Sequence, residues 1–164
     1  MAISTIGSES YCLSELKNVD VGNYTSIAGG CVFHSNDNHA WVQNKTFVST
    51  YPFSEKWNIT SYPQSSGKGH VNIGSDCWIG EGCRFMSGVK VGNGVIVAAG
   101  SVVPRDVPDF AMIAGNPARI KYYRFEPEII KKLLEIKWWN WDKGTIMQRM
   151  DQFMDIHRFI QEFS

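Results

Sequence analysis

Residues 73–108 read IGSDCW, IGEGCR, FMSGVK, VGNGVI, VAAGSV, VPRDVP, six hexapeptides in phase. The first position is Ile73, Ile79, Phe85, Val91, Val97 and Val103, always apolar. The fifth is Cys77, Cys83, Val89, Val95, Ser101 and Val107, small or β-branched. The second is mostly small: Gly74, Gly80, Met86, Gly92, Ala98 and Pro104. A period of six is neither helical nor a plain strand alternation. It predicts a repeat in which each hexapeptide is one short strand plus a turn. Positions one and five then point inward, and small second residues relieve crowding at the turn. β-branched side chains suit the strands. One unit cannot bury its own apolar face, so successive coils must stack. A β-sandwich, whose strands recur every ~8–12 residues, does not fit this spacing.

Upstream, the same grammar spans roughly 19–34, in Val21-Gly22, Ile27-Ala28 and Phe33, with Thr25 and Cys31 at position five. Residues before Val19 suggest only an irregular opening coil, from Ile6-Gly7. Between the two blocks, residues 35–69 hold no consistent sixes. An insertion of this length in a compact domain is usually functional or disordered. Trp41, Phe47, Tyr51, Phe53, Trp57 and Tyr62 argue against disorder, because aromatic side chains are costly to leave wet. A neighbouring subunit is the natural surface for them.

Downstream, Gly115-Asn116-Pro117 reads as a turn, and Glu126-Pro127 as the start of a helix. Ile129, Ile130, Leu133, Leu134 and Ile136 give that helix an apolar stripe. Trp138, Trp139 and Trp141 form a packing hub or an interface. A last helical segment is expected over roughly 144–163. The expected organisation is residues 1–113 as the repeat domain with its insertion, then 114–164 as a helical extension.

The 164 residues include sixteen basic and sixteen acidic ones, a formal net charge of zero. That balance gives no case for nucleic acid or an anionic membrane surface. No apolar run reaches membrane-spanning length, and the N-terminus lacks a signal pattern, so a cytoplasmic protein is expected. Cys12, Cys31, Cys77 and Cys83 show no Cys-x-x-Cys spacing, so no metal site is expected. Cys77 and Cys83 should pack as reduced thiols.

Of the histidines, His157 should lie on a helix surface, His34 closes the first block and His70 opens the second. His39 stands apart, in Asn-Asp-Asn-His at the mouth of the insertion. By residue type alone, a histidine in a polar loop is more often structural than catalytic.

Several separated motifs occur in order. They are Asn38-His39, then Ser49-Thr50-Tyr51-Pro52-Phe53, the repeats, Ala114-Gly115-Asn116-Pro117-Ala118, and Ile136-Lys137-Trp138-Trp139-Asn140-Trp141. Over roughly residues 19–155 the chain resembles the hexapeptide-repeat acyltransferases, in the xenobiotic branch of chloramphenicol and streptogramin O-acetyltransferases. The resemblance implies an all-β solenoid, a left-handed parallel β-helix with a long loop insertion and C-terminal α-helices. It implies a homotrimer whose active site lies between subunits. Acetyl-CoA would be the co-substrate and a hydroxylated small molecule the acceptor.

His39 would then be the general base, since imidazole titrates near neutrality and can take the alcohol's proton. Trp78, Gly80, Ala98 and Ala99 would lie along the CoA arm. Arg105 and Arg119 would meet its phosphates, with Lys121 behind. Asn38, Trp41, Tyr51 and Phe53 would contact the acceptor. Two other readings stay open: a sugar or polysaccharide acetyltransferase, and a non-catalytic β-helix assembly protein.

Overall fold

The computed structural model describes residues 4–35, 48–51, 53–60 and 69–163. Three sheets of short strands carry the repeat. The strands are β1 (Thr5–Ile6), β2 (Tyr11–Cys12), β3 (Val19–Val21), β4 (Ser26–Ile27), β5 (Val32–Phe33), β6 (Val71–Ile73) and β7 (Trp78–Ile79). They continue with β8 (Arg84–Phe85), β9 (Lys90–Val91), β10 (Ile96–Val97), β11 (Val102–Val103), β12 (Ala111–Gly115) and β13 (Ala118–Tyr123). The first sheet is ordered β1-β3-β6-β9, the second β13-β12-β10-β7-β4-β2, and the third β11-β8-β5. From β3 to β11, consecutive strands therefore pass from first to second to third sheet and back, and β12 and β13 then both join the second. All pairs are parallel except β12–β13, which folds back antiparallel across the Asn116-Pro117 turn.

The periodicity explains the arrangement. Every first-position and fifth-position residue of the six hexapeptides is buried. They merge with Val19, Val21, Ile27, Cys31, Phe33 and Val71 into one continuous core. Each buried valine or isoleucine contributes about 1.5–3 kcal/mol, so the columns alone favour stacking. The small second position is also explained. A Cβ on Gly80 would stand 2.5 Å from the backbone N of Ala99, one circuit on. The fourth position takes left-handed backbone at Asp76, Gly82, Gly88, Gly94 and Gly100, which is why glycine dominates there.

The third position holds a feature the periodic reading passed over. Where the first sheet turns into the second, it is Asn23, Ser75, Asn93 or Asp109. Each accepts a backbone N–H from the circuit before: Ser8 N to Asn23 Oδ1 at 2.9 Å, Asn23 N to Ser75 Oγ at 3.0 Å, Ser75 N to Asn93 Oδ1 at 3.0 Å, and Asn93 N to Asp109 Oδ1 at 2.6 Å. These bonds supply partners to corner amides that no strand ladder reaches.

The spacing between circuits records the interruptions. Ser75 to Asn93 is 18 residues, the full circuit. Ser8 to Asn23 is only 15, because no strand of the third sheet lies between β2 and β3. Asn23 to Ser75 is 52, which contains the insertion. The two ends of the insertion are held together: the buried Ser87 hydroxyl donates to Ser35 O at 3.0 Å and lies 3.4 Å from Gly69 O. Within it, Phe53–Trp57 forms a short helix, α1, which the sequence reading did not anticipate.

The sheets continue through residue 113 to Tyr123 before the helices begin. Helix α2 (Pro127–Ile136) starts where Glu126-Pro127 predicts, and stops as Lys137 turns left-handed with its N–H on Leu133 O. The single helix expected over 144–163 is not formed. It is divided into α3 (Lys143–Gln148), a 3₁₀ stretch (Met150–Met154) and α4 (Ile156–Phe163). Asp155 makes the break: its Oδ1 accepts the N–H groups of His157 and Arg158, starting a new helix. Met150, an apolar residue of that segment, is exposed.

The helices lie over the first-to-second corner and build a second core from Phe110, Leu133, Trp139, Phe159 and Ile160. Asn23 Nδ2 donates to Trp139 O at 3.1 Å, and Tyr24 meets Trp138 with ring centroids 5.3 Å apart. The tryptophan run is thus a packing hub. No helix among the described residues is long and apolar enough to cross a membrane.

Candidate active site

The outward side chains divide the sheets. On the first sheet the register aligns Thr5, Asp20, Asn72 and Lys90, a polar column. On the second it aligns Tyr11, Ser26, Trp78, Ile96, Met112 and Tyr122. Trp78 is 62% exposed, and Tyr11 and Tyr122 are each 55% exposed. An apolar column of this length on an open face marks a binding surface.

A cavity of about 440 Å³ opens on that face. It brings together Trp78, Gly80, Ala98 and Ala99, all four singled out from the sequence. Ala28, Glu81, Ile96, Val97 and Met112 complete its wall and were missed. The signal for Ile96 was present: the sixth position read in steps of one circuit takes Trp78 to Ile96. Met112 escapes that rule because β10 and β12 pair across a shortened circuit. Gly80 has a further duty, since its missing side chain is what lets the next circuit approach.

A second cavity, about 340 Å³, is lined by both Arg105 and Arg119. Arg105 follows β11 and Arg119 sits on β13, so only the hairpin return brings them to one place. Arg119 Nη1 donates to Ala118 O at 3.0 Å. Met112 lines the first cavity and Ile113, the next residue of β12, lines the second. Lys121 is exposed on the same hairpin but lines neither cavity. An apolar trough beside a cavity where Arg105 and Arg119 outnumber the one carboxylate, Asp106, suits a long ligand with an anionic end.

His39, Asn38 and Trp41 lie outside the described residues. Tyr51 and Phe53 do come together, with ring centroids 5.0 Å apart. Trp57, not proposed as a site residue, completes the cluster at 6.0 Å from Tyr51 and 4.7 Å from Phe53. Its place four residues after Phe53, on one face of α1, was the available signal.

Two other groups are accounted for by the scaffold. His70 Nδ1 lies 3.1 Å from Asp20 Oδ2. The Thr5 hydroxyl first, then His70 and the Thr5 N–H, hold the Asp20 carboxyl below its usual range. Burial pushes the Cys77 thiol up to about 12, so it packs as an inert thiol. All four cysteines are free. Among the described residues no group of three His, Cys, Asp or Glu side chains could hold a metal.

Residues 70–105 match the model of the bacterial transferase hexapeptide, six repeats. A chloramphenicol acetyltransferase of Klebsiella aerogenes is 30% identical over 164 residues, covering 94% of this chain and 78% of that protein. This chain belongs to the hexapeptide-repeat acetyltransferases, in their xenobiotic branch. Another member, from Lysinibacillus sphaericus and described as "Probable macrolide acetyltransferase", is 36% identical over 137 residues, 80% of this chain and 74% of that protein. Among solved structures, a hexapeptide-repeat acetyltransferase of Vibrio cholerae complexed with acetyl-CoA matches with a TM-score of 0.55 at 21% identity. That match covers 75% of this chain and 61% of the solved one, and supports the fold of this acetyltransferase.

Proposed function

We propose that this acetyltransferase uses acetyl-CoA to acetylate a hydroxyl of a small, antibiotic-like xenobiotic, inside a homotrimer. The circuits through the three sheets wind as a left-handed parallel β-helix of triangular section. Residues 1–113, with the insertion 35–69, form the repeat domain, and 114–164 the helical extension, joined through β12 and β13. The protein works in the cytoplasm.

The observation that carries the reading is the pairing of Arg105 with Arg119 in one cavity, next along β12 from the trough of Trp78, Gly80, Ala98 and Ala99. The trough holds the pantetheine arm and the two guanidinium groups hold phosphate. The exposed column on the second sheet faces a neighbouring subunit, and cyclic closure covers it on every copy. Asn38, Trp41, Tyr51 and Phe53 contact the acceptor, and Trp57 extends the aromatic cluster.

His39 takes the proton of the acceptor hydroxyl as that oxygen attacks the thioester carbonyl. The C–S bond then breaks, and the imidazolium returns the proton to the leaving thiolate. No acyl-enzyme forms, since both substrates held in line supply much of the rate. A backbone N–H would stabilise the oxyanion.

The test is acetyl-CoA turnover against chloramphenicol, streptogramin A, a macrolide and a hexose. We expect turnover with one of the first three, and a fall of about 10²–10⁴ in kcat for His39→Ala. Full transfer by His39→Ala would refute the mechanism. Turnover with the hexose alone would move the acceptor to sugars.

A further inference from the structure

A third cavity, about 350 Å³, lies between the first-to-second corner and the C-terminal helices. It shares no lining residue with the trough or the arginine cavity. Its walls are aromatic, with Phe110 from the corner and Trp138 and Phe153 from the helical extension. Protein cores rarely keep a void larger than a few waters. Binding pockets, by contrast, are mostly apolar with a small number of placed polar groups.

This cavity has such groups. Asp76 and Arg124 both line it, joined at 3.0 Å from Nη1 to Oδ2. The same Nη1 donates to Gly94 O at 2.8 Å. Their side chains remain 25% and 27% exposed although aromatic rings surround them. The contact runs from Nη1 to Oδ2, so Asp76 Oδ1 and Arg124 Nη2 stand outside it. One acceptor and one donor thus remain outside that contact, on a pair whose charges already cancel. Burial first, against the opposing pull of Arg124, raises the Asp76 carboxyl from its usual range, as in other polar groups set into apolar pockets.

Met154, in the 3₁₀ stretch, also lines the cavity and is 88% exposed. In that stretch Gln152 Oε1 is buried without a hydrogen-bond partner among the described residues.

We propose that this cavity is a second ligand site, taking a neutral, flat aromatic amide between the rings and the Asp76–Arg124 pair. The amide N–H donates to Asp76 Oδ1, and its carbonyl accepts from Arg124 Nη2. An anion would be opposed by Asp76 and a cation by Arg124, so the ligand is uncharged. The rings stack on it with the offset or edge geometry aromatic pairs prefer.

Benzamide is the probe and toluene the control, titrated into the full chain while the Trp138 indole and Met154 methyl resonances are followed. Benzamide should shift both saturably, and bind at least about tenfold more tightly than toluene. Met154→Trp, at a side chain exposed enough to tolerate enlargement, should weaken benzamide about tenfold or more by filling the mouth. Basal acetyl transfer by that variant should not change, which separates this site from the acetyl-CoA site. The proposal is overturned by the absence of saturable shifts, by equal affinity for toluene, or by unaltered binding in Met154→Trp.

Discussion

The first and second sheets share one inner wall and carry opposite outer faces. Inside, both alternate the same buried first and fifth positions. Outside, the first sheet aligns Thr5, Asp20, Asn72 and Lys90, while the second aligns Tyr11, Ser26, Trp78, Ile96, Met112 and Tyr122. The inner columns are therefore a property of the repeat, and the outer columns of the individual sheet. A protein solvated on all sides has no reason to place aromatics along one face only. An apolar column on an open face suits contact with a ligand or another subunit.

The largest effects are expected at the glycines. Gly80 and Gly74 occupy the same position, and a Cβ on either meets the backbone of the next circuit, at 2.5 Å and 2.7 Å respectively. Gly80→Ala and Gly74→Ala should each lose about 2–3 kcal/mol in denaturant unfolding. Only Gly80→Ala should also raise the KM for acetyl-CoA, since Gly80 lines the trough and Gly74 does not. Equal KM values in the two variants would dissociate the trough from function.

Next in size are the arginines. Arg105→Ala or Arg119→Ala should raise the KM for acetyl-CoA about tenfold with modest change in kcat, as expected for removal of uniform binding. The reverse pattern would take them out of the phosphate role. Trp78→Ala and Asn72→Ala test the two outer columns directly. Trp78→Ala should weaken the proposed trimer in sedimentation and raise the same KM several-fold. Asn72→Ala should leave both untouched and stability within about 0.5 kcal/mol.

The smallest effect belongs to Asp20. Its folded-state pKa is depressed, so it stabilises the protein above the unfolded value of about 3.9, and that contribution is lost as pH falls through the lower folded value. Solvent screening of this surface group limits it to about 0.5 kcal/mol. Asp20→Asn should therefore be slightly less stable than the wild type at pH 7. The difference should vanish in acid, as read by urea midpoints across pH.

The repeat was legible because a solenoid-like sequence repeats what its structure repeats. The period points the position one and five residues from 73 to 107 inward, and each is buried. The corner ladder of Asn23, Ser75, Asn93 and Asp109 was equally present in the sequence. It hides in residue types that differ in name but share an acceptor oxygen. The terminal helix misled because its apolar periodicity continues across Asp155, while a local cap decides where helices start. The opening circuit was obscure because it is shortened, and phase cannot be carried across it.

By itself the sequence determined the strand phase, the inward columns, the place of the insertion and the family. All of these rest on near-neighbour spacing that recurs along the chain. Only the tertiary structure decided that Trp78, Ile96 and Met112 share a wall and that Arg105 and Arg119 share a cavity. It also placed Phe110, Asp76 and Arg124 around one space with the terminal helices. These sets are assembled by circuits stacking at unequal intervals, by the β12–β13 return, and by helices folding back over a corner. The distances involved are set by packing between circuits, which no local period records.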